Sequence, residues 1–162
     1  MTADTALAEK MRMTKEEYLE FEEQSSVKNE YYSGELFAMA GGSRNHSIIC
    51  FNLSRRIGEL LDNRNCTGFD SSMKVETEAA EAFVYPDLSV VCGDIESPGN
   101  RTDIIQNPVL VIEVLSPGTE SFDRGKKFCY YRKLPSLQEY VLVSQSQPLI
   151  GRYFGKSGQM DL

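Results

Sequence analysis

The segment "NPVLVIEVLSPG" places a glutamate, Glu113, in the middle of an otherwise apolar run. The neighbouring residues 109–112 and 114–115 are all Val, Leu or Ile, so a strand here would be apolar on both faces. Such a pattern is typical of a central strand that is covered by helices. An ionised carboxylate left unpaired there would be strongly destabilising. Glu113 must therefore be neutralised, paired with a cation or bound to a metal.

A second carboxylate could share that environment. Asp87 follows Pro86 inside "FVYPDLSVVC", and this strand should feed the same sheet as the strand of Glu113. Two carboxylates a few ångströms apart repel, which raises a pKa or demands a cation between them. Mg²⁺ accepts one or two carboxylates and leaves its other positions to water and phosphate oxygens. The sequence thus predicts a metal at Asp87 and Glu113; the alternatives are a turn carboxylate and half of a buried salt bridge.

Length and composition suit one domain that buries its own core. The chain has 162 residues, of which 41% are apolar and 25% charged, as in globular proteins. We expect a single domain over residues 1–162, with a flexible N-terminus at residues 1–13. No segment is long and apolar enough to span a bilayer, and the N-terminus lacks the apolar stretch of a secretory signal. We therefore expect a cytoplasmic protein that does not contact membranes.

The cysteines give no sign of a metal or disulfide framework. Cys50, Cys66, Cys92 and Cys129 lie far apart without a CxxC pair, and His46 is the one histidine that could join them. The spacing predicts neither a zinc site nor a disulfide. We expect all four to be small buried apolar residues.

The net charge of −7 counts against a general nucleic-acid binder held by long-range attraction. This net charge does not exclude a local basic surface. Two basic groups could supply one, after the Glu113 strand and on a helix: Arg124, Lys126, Lys127, Arg132 and Lys133, and Arg55, Arg56 and Arg64. Both groups could equally be ordinary solvated helix faces.

Local patterns predict the first elements. Thr14 and Glu17 form a capping box that opens a short helix, "TKEEYLEFEEQ". A turn at Ser33 and Gly34 joins two half-strands. Apolar residues at helical spacing then predict a long amphipathic helix from residue 45 to about residue 64.

The remaining elements define the fold class. Three strands follow without an intervening helix, at residues 66–75, 83–92 and 109–115, and a second helix runs over residues 122–134 until Pro135 stops it. "EYVLVS" is a further buried strand, and "LIGRYF" begins one more. The core order is α-β-β-β-α-β, which predicts an α/β (α+β) fold with a mixed central sheet flanked by helices.

This order, with "YPD" and "VIEVLSPGTESFDRGKKFCYYR", resembles the PD-(D/E)xK nuclease superfamily and its restriction-endonuclease-like fold. With "NEYYSGELFAMAGGSRNHS" and "LPSLQEYVLV" added, the chain is similar to the Uma family of predicted restriction endonucleases from about Thr14 to Phe154. The resemblance implies an Mg²⁺- or Mn²⁺-dependent endonuclease that hydrolyses DNA phosphodiester bonds, and a homodimer.

Two features depart from the family pattern. The superfamily places a lysine two residues after the strand acid, where this chain has Leu115. Similar proteins carry the lysine on the following helix, so Lys127 is the better match and Lys126 the fallback. Relatives continue past "GKSGQMDL" with further strands, and we expect a shortened C-terminal end that stops at a turn over residues 157–158.

Other residues are accessory candidates. Glu35, just past the first turn, could add a third carboxylate or be an ordinary turn-flanking acid. Lys127 could be the i,i+4 partner of Asp123 rather than a site residue. His46 could be accessory or structural, and Tyr131 could pack in its helix or reach the site with its hydroxyl.

The mechanism implied by the resemblance is metal-assisted hydrolysis. Asp87 and Glu113 would hold the metal, and Lys127 would orient the attacking water or stabilise charge on the phosphoryl oxygens. A catalytically silent binding or oligomerisation module is one alternative, favoured by the acidic charge and the displaced lysine. A resolvase of branched DNA is another, with the same chemistry on a different substrate shape.

Overall fold

The computed structural model describes residues 12–156 and 159–160, which form two sheets and four α-helices. The helices are α1 (Lys15–Gln24), α2 (Arg44–Leu61), α3 (Glu120–Arg124) and α4 (Lys126–Tyr131). The strands are β1 (Asn29–Tyr32), β2 (Glu35–Ala38), β3 (Cys66–Phe69), β4 (Lys74–Thr77), β5 (Ala82–Val84), β6 (Leu88–Cys92), β7 (Ile104–Ile105), β8 (Leu110–Leu115), β9 (Glu139–Ser144), β10 (Ile150–Lys156) and β11 (Gln159–Met160). No helix in the described part of the chain is long and apolar enough to cross a membrane.

Two terminal expectations fall partly outside the described residues. The N-terminal segment expected to be flexible lies outside them up to residue 11, and so does the expected turn at residues 157–158. Within the described part, Met13 is bound to the first hairpin, because its N–H donates to the carbonyl of Gly34 at 3.0 Å. The strand β11 pairs antiparallel with β10.

The strand that contains Glu113 is central, as predicted. One sheet has the order β2-β1-β5-β4-β7, and the other has the order β11-β10-β9-β8-β6-β3. In the second sheet β8 lies between β6, which is antiparallel to it, and β9, which is parallel. This sheet is therefore mixed, and the inner position of β8 accounts for its two apolar faces.

The two faces of the second sheet meet different layers. On one face α2 packs through Ile49, Leu53 and Ile57 around a cluster that includes Ile112 and Val114. On the other face α4 and strands of the first sheet share the largest core, which contains Val111, Leu115, Phe128, Tyr131, Val75 and Val84. Because side chains alternate along a strand, Glu113 points to the α4 face with Val111 and Leu115.

Several local predictions are confirmed. The capping box is present, since Thr14 Oγ1 accepts from the N–H of Glu17 and Glu17 Oε2 accepts from the N–H of Thr14. The first turn has positive φ at Ser33 and Gly34, 46° and 95°, as a two-residue hairpin requires. The strands "EYVLVS" and "LIGRYF" are β9 and part of β10.

Two predicted strands and one predicted helix are divided. Residues 66–75 become β3 and β4 around a turn where Asp70 Oδ1 accepts from the N–H of Ser72 at 2.8 Å. Residues 83–92 become β5 and β6 because Pro86 lacks an N–H for either ladder, and the two halves belong to different sheets. The predicted helix 122–134 breaks at Gly125, whose φ of −103° and ψ of −96° are not helical.

The prediction that no disulfide forms is wrong for Cys66 and Cys92, which are disulfide-bonded. The antiparallel ladder of β3 and β6 places them directly opposite each other, with Cα atoms 3.9 Å apart. This pairing depends on strand register, which the spacing of cysteines in the sequence does not reveal. Cys129 is exposed and Cys50 is partly buried, so the expectation of four buried thiols also fails.

Candidate functional site

Asp87 lies at the junction where the chain leaves the first sheet for the second. β5 ends at Val84, two residues before Pro86, and Asp87 directly precedes β6. The carboxylate reaches the neighbouring strand, where Asp87 Oδ2 accepts from the backbone N–H of Val114 at 2.7 Å. This bond holds the Asp87 side chain against β8 at Val114, the residue that directly follows Glu113.

Glu113 is almost completely buried, with 4% of its surface exposed. Its Oε1 atom accepts from the hydroxyl of Tyr131 at 2.8 Å and lies 2.7 Å from Nζ of Lys127. Both partners come from α4, the helix that covers this face of β8. The apolar strand thus delivers a carboxylate to a helix that carries a cation and a hydroxyl.

Lys127 is the centre of these contacts. Besides Glu113, its Nζ atom lies 3.0 Å from Glu30 Oε1 and 3.9 Å from Asp123 Oδ1. Its side chain is 5% exposed, whereas Lys126, the alternative lysine in the sequence, is exposed. The helix register therefore turns Lys127 toward Glu113 and Lys126 toward solvent.

Glu30 also belongs to this cluster, and it is not among the site residues predicted from the sequence. Its Oε1 atom accepts from the backbone N–H of Tyr85 at 2.9 Å and from Lys127, and its Oε2 atom accepts from Tyr32 at 2.6 Å. The sequence did contain a signal for Glu30, because "NEYY" also places an acid among large side chains in a strand. Glu35, the predicted acid of this hairpin, lies opposite Tyr32 at the start of β2. Burial and, to a smaller extent, the charge of Glu35 raise the pKa of Tyr130.

The cluster holds more negative than positive charge. Glu30, Asp87, Glu113 and Asp123 supply four carboxylates, and Lys127 supplies one ammonium group, which leaves a formal excess of three negative charges when His46 is neutral. We define these five charged residues as the acidic cluster. Buried like charges of this kind demand a proton or a further cation.

The titration of the buried groups reflects this imbalance. Burial raises the pKa of Glu113 far above its ordinary range, Lys127 opposes that shift, and the charges of Asp87 and Asp123 add to it. Burial likewise raises the pKa of Asp123. Burial alone would lower the pKa of Lys127, but the carboxylates of Glu113 and Glu30 outweigh it and raise that pKa well above its usual value. The carboxylates therefore favour the charged form of Lys127, whereas burial and the neighbouring carboxylates disfavour the ionised form of Glu113 unless a further cation offsets them.

His46 and Cys50 approach Asp87 from α2. The helix begins after Ser43, whose Oγ accepts from the N–H of His46 at 3.1 Å, and this cap sets the first turn that carries the histidine. His46 Nε2 lies 3.2 Å from Asp87 Oδ1, and this hydrogen bond raises the pKa of His46 while partial burial opposes it. Burial, with the charges of Asp87 and Glu113, raises the pKa of the Cys50 thiol to about 12.

The His46 ring depends on a neighbouring glycine. A Cβ atom at Gly42 would lie 2.7 Å from His46 Nδ1, whereas a Cβ atom at Gly41 would meet nothing within 4 Å. We expect Gly42→Ala to displace the ring, weaken its bond to Asp87 and lower the pKa of His46 toward an ordinary histidine value. His46 is the one histidine of the chain, so NMR titration of its ring reports this directly.

Gly41→Ala is the matched control for that titration, and it should leave the pKa of His46 as in the wild type. An unchanged pKa in Gly42→Ala would contradict the assigned position of the ring.

Comparisons with known proteins identify the family and the fold of this chain. The Uma2 family, described as "Putative restriction endonuclease", matches residues 15–160. Two proteins of Synechocystis sp., named "Uncharacterized protein slr1290" and "Uncharacterized protein sll1609", are similar to this chain. They are 41% and 38% identical to it over 155 and 133 residues, and the matches cover 94% and 82% of this chain and 80% and 75% of the relatives.

A solved structure is also similar. It is a protein of Anabaena variabilis described as "a putative nuclease belonging to DUF820", and it superimposes with a TM-score of 0.68 at 19% identity. The match covers 88% of this chain and 84% of the other. The fold is therefore restriction-endonuclease-like, as the sequence predicts.

Proposed function

Because the chain belongs to the Uma2 family of restriction-endonuclease-like proteins, we propose that it is a metal-dependent endonuclease that hydrolyses phosphodiester bonds of DNA. The observation that carries this proposal is the acidic cluster. Three of its carboxylates come from strand regions, Asp123 comes from α3 and Lys127 comes from α4, and they meet in one place although they are spread over most of the sequence. An excess of buried carboxylates is destabilising for a fold, so its presence favours a functional use.

The chemistry of the acidic cluster suits a hard divalent cation. Carboxylate oxygens are the ligands that Mg²⁺ and Mn²⁺ prefer, and one or two of them suffice when water and phosphate fill the other positions. Asp87 and Glu113 would hold the cation. A divalent charge would also offset most of the negative excess in the cluster, which one lysine leaves unbalanced.

In this proposal the residues around the metal have separate roles. A bound Mg²⁺ or Mn²⁺ would supply Lewis acidity toward a phosphate and lower the pKa of a water molecule. Tyr131 fixes Glu113 by its hydrogen bond. Lys127 would orient the water or stabilise the charge on the phosphoryl oxygens. Glu30 is a positioning residue, because its carboxylate holds the ammonium group of Lys127 at 3.0 Å.

Side-chain exposure gives a direction of approach for the phosphate. The side chains of His46 and Asp87 are 22% and 11% exposed, whereas those of Glu113 and Lys127 are each 5% exposed. A phosphate would therefore enter on the side of His46 and Asp87. Of the basic residues near this cluster, Arg124 is ion-paired with Glu120 at 2.9 Å, so its charge is partly offset, whereas Lys126 is exposed to solvent.

A catalytically silent module remains the second candidate function. The observation in its favour is that Lys127 and Tyr131 both contact Oε1 of Glu113, so the acidic cluster could serve as a purely structural network. A homodimer and a cytoplasmic location stay predictions under either function. A gel-filtration measurement with light scattering checks the first.

Metal-dependent cleavage of mixed plasmid, linear and branched DNA separates these functions. We expect the wild-type protein to nick or cut DNA with Mg²⁺ or Mn²⁺, and to be inactive with EDTA or with Ca²⁺ alone. Preference for the branched substrate would identify a resolvase. Absence of cleavage for every substrate, in a protein that binds Mg²⁺, would overturn the enzyme and favour the silent module.

Binding of the metal should also be visible in stability. Excess Mg²⁺ at about 100 times its Kd should stabilise the wild-type protein by about 2.7 kcal/mol, which is a rise in Tm of roughly 5–10 °C for a chain of this size. Glu113→Gln removes a proposed ligand and should show almost no rise. Thermal melts in EDTA and in Mg²⁺ measure this, with the exposed Glu96→Gln as the control that should respond like the wild type.

A further inference from the structure

A second set of metal ligands lies next to the acidic cluster and shares Asp87 with it. His46 and Cys50 are four residues apart on α2, which puts them on one face of the helix. Cys50 Sγ lies 3.6 Å from His46 Nδ1 and 3.9 Å from Nε2, and Nε2 lies 3.2 Å from Asp87 Oδ1. One ligand atom from each residue lies within 4.8 Å of the others, the one such trio found in the described part of the chain.

The donor types differ from those of the acidic cluster. A thiolate, an imidazole and a carboxylate suit Zn²⁺ and other borderline cations, whereas Mg²⁺ prefers oxygen ligands alone. Three protein ligands leave a fourth tetrahedral position open to water or substrate. The donor types of the trio therefore favour Zn²⁺ over Mg²⁺. A metal bound here would displace the proton of the Cys50 thiol, as metals do at cysteine ligands generally.

The spacing of the ligand atoms also fits. With zinc–nitrogen and zinc–oxygen distances of about 2.0–2.2 Å and a zinc–sulfur distance of about 2.3 Å, the corners of a tetrahedral site lie about 3.3–3.7 Å apart. The observed distances of 3.2 Å and 3.9 Å from His46 Nε2 to Asp87 and Cys50 differ from these by a few tenths of an ångström. Small side-chain rotations would complete the site. Partial exposure of His46 and Asp87 gives a cation access to it.

We propose that His46, Cys50 and Asp87 form a site for Zn²⁺ or a similar borderline cation, distinct from the Mg²⁺ site at Asp87 and Glu113. Both sites need Asp87, and its Oδ2 atom already accepts from the N–H of Val114, so the two cations compete for the remaining carboxylate oxygen. If the proposed nuclease function holds, Zn²⁺ at this site would inhibit Mg²⁺-dependent cleavage. The binding of zinc itself does not rest on that function.

Cobalt(II) is a spectroscopic probe for this site. Titration of the 162-residue chain with Co²⁺ should produce the near-ultraviolet thiolate-to-cobalt absorption band and the intense visible bands of a tetrahedral ion, and Zn²⁺ should abolish both. Cys50→Ser should lose the near-ultraviolet band and bind Co²⁺ at least tenfold more weakly. Cys129→Ser is the matched control, because Cys129 is the exposed free thiol, and it should keep the wild-type spectrum.

A calorimetric titration of Mg²⁺ then tests the shared ligand. One equivalent of Zn²⁺ should weaken Mg²⁺ binding to the wild type at least tenfold and leave Mg²⁺ binding to Cys50→Ser unchanged. A cobalt thiolate band that survives in Cys50→Ser, or no band in the wild type, would overturn the site. If the DNA cleavage assay fails, the cobalt spectra still decide this proposal, so the two failures are distinguishable.

Discussion

Lys127→Met should lower the free energy of unfolding of the metal-free protein by about 3–5 kcal/mol. Lys127 is the cation of the acidic cluster, and its ammonium group lies 2.7 Å from Glu113 and 3.0 Å from Glu30. Its removal leaves these carboxylates buried without a counter-charge. Denaturant unfolding in EDTA measures the loss, with Lys126→Met as the control, since the exposed Lys126 should tolerate the same substitution with little change.

Glu113→Gln should behave in the opposite way although it removes the partner of the same ion pair. The acidic cluster has an excess of carboxylates, so Lys127 keeps Glu30 at 3.0 Å and Asp123 at 3.9 Å. The amide oxygen can still accept from Tyr131. We expect the metal-free stability to stay the same or rise. A loss as large as that of Lys127→Met would mean that Glu113 is half of a structural salt bridge.

The pH dependence of Lys127→Met follows from the direction of the carboxylate shifts. The pKa values of Glu113 and Asp123 are raised mainly by burial, so the folded state binds more protons than the unfolded state between the ordinary and the raised pKa. Stability therefore falls as the pH rises through that window and recovers on acidification. In Lys127→Met no lysine opposes the raised pKa values of Glu113 and Asp123. The loss of unfolding free energy relative to the wild type should therefore be smaller at about pH 5 than at about pH 8.

Asp87→Asn should lower Mg²⁺-dependent DNA cleavage at least about 100-fold, because loss of a residue that merely supports a ligand already costs about 10–100-fold. Asp87 is the more accessible of the two proposed ligands. Turnover on plasmid DNA at saturating metal measures the effect. Asp94→Asn, an exposed aspartate, is the control and should cleave like the wild type. Near-normal cleavage by Asp87→Asn would mean that Asp87 is not part of the proposed active site.

The strongest local signals in the sequence predicted much of this arrangement. An acid in a strand that is apolar on both faces can be recognised without a structure, and Glu113 is indeed buried in β8. The capping box of Thr14 and the hairpin turn at Ser33 and Gly34 are likewise set by neighbouring residues. These features depend on interactions within a few positions of each other, which a sequence pattern displays directly.

Features that depend on long-range register were not predictable in the same way. The Cys66–Cys92 disulfide exists because β3 and β6 pair in one register. His46 meets Asp87 because α2 packs on the cluster that contains Leu88, the first residue of β6. Pro86 lies inside the predicted strand 83–92, and nothing nearby showed that the chain changes sheets there. Glu30 carried the same signal as Glu113 in a shorter strand, and its partner Lys127 is far away in the sequence.

The claim that the acidic cluster is a metal site is tested most directly by calorimetric titration of Mg²⁺ into the wild type, Asp87→Asn and Asp94→Asn. We predict that the wild type and Asp94→Asn each bind one Mg²⁺ per chain with the same affinity. Asp87→Asn should bind at least tenfold more weakly. Equal Mg²⁺ binding by Asp87→Asn and the wild type would mean that Asp87 is not a metal ligand and that the acidic cluster is not the proposed metal site.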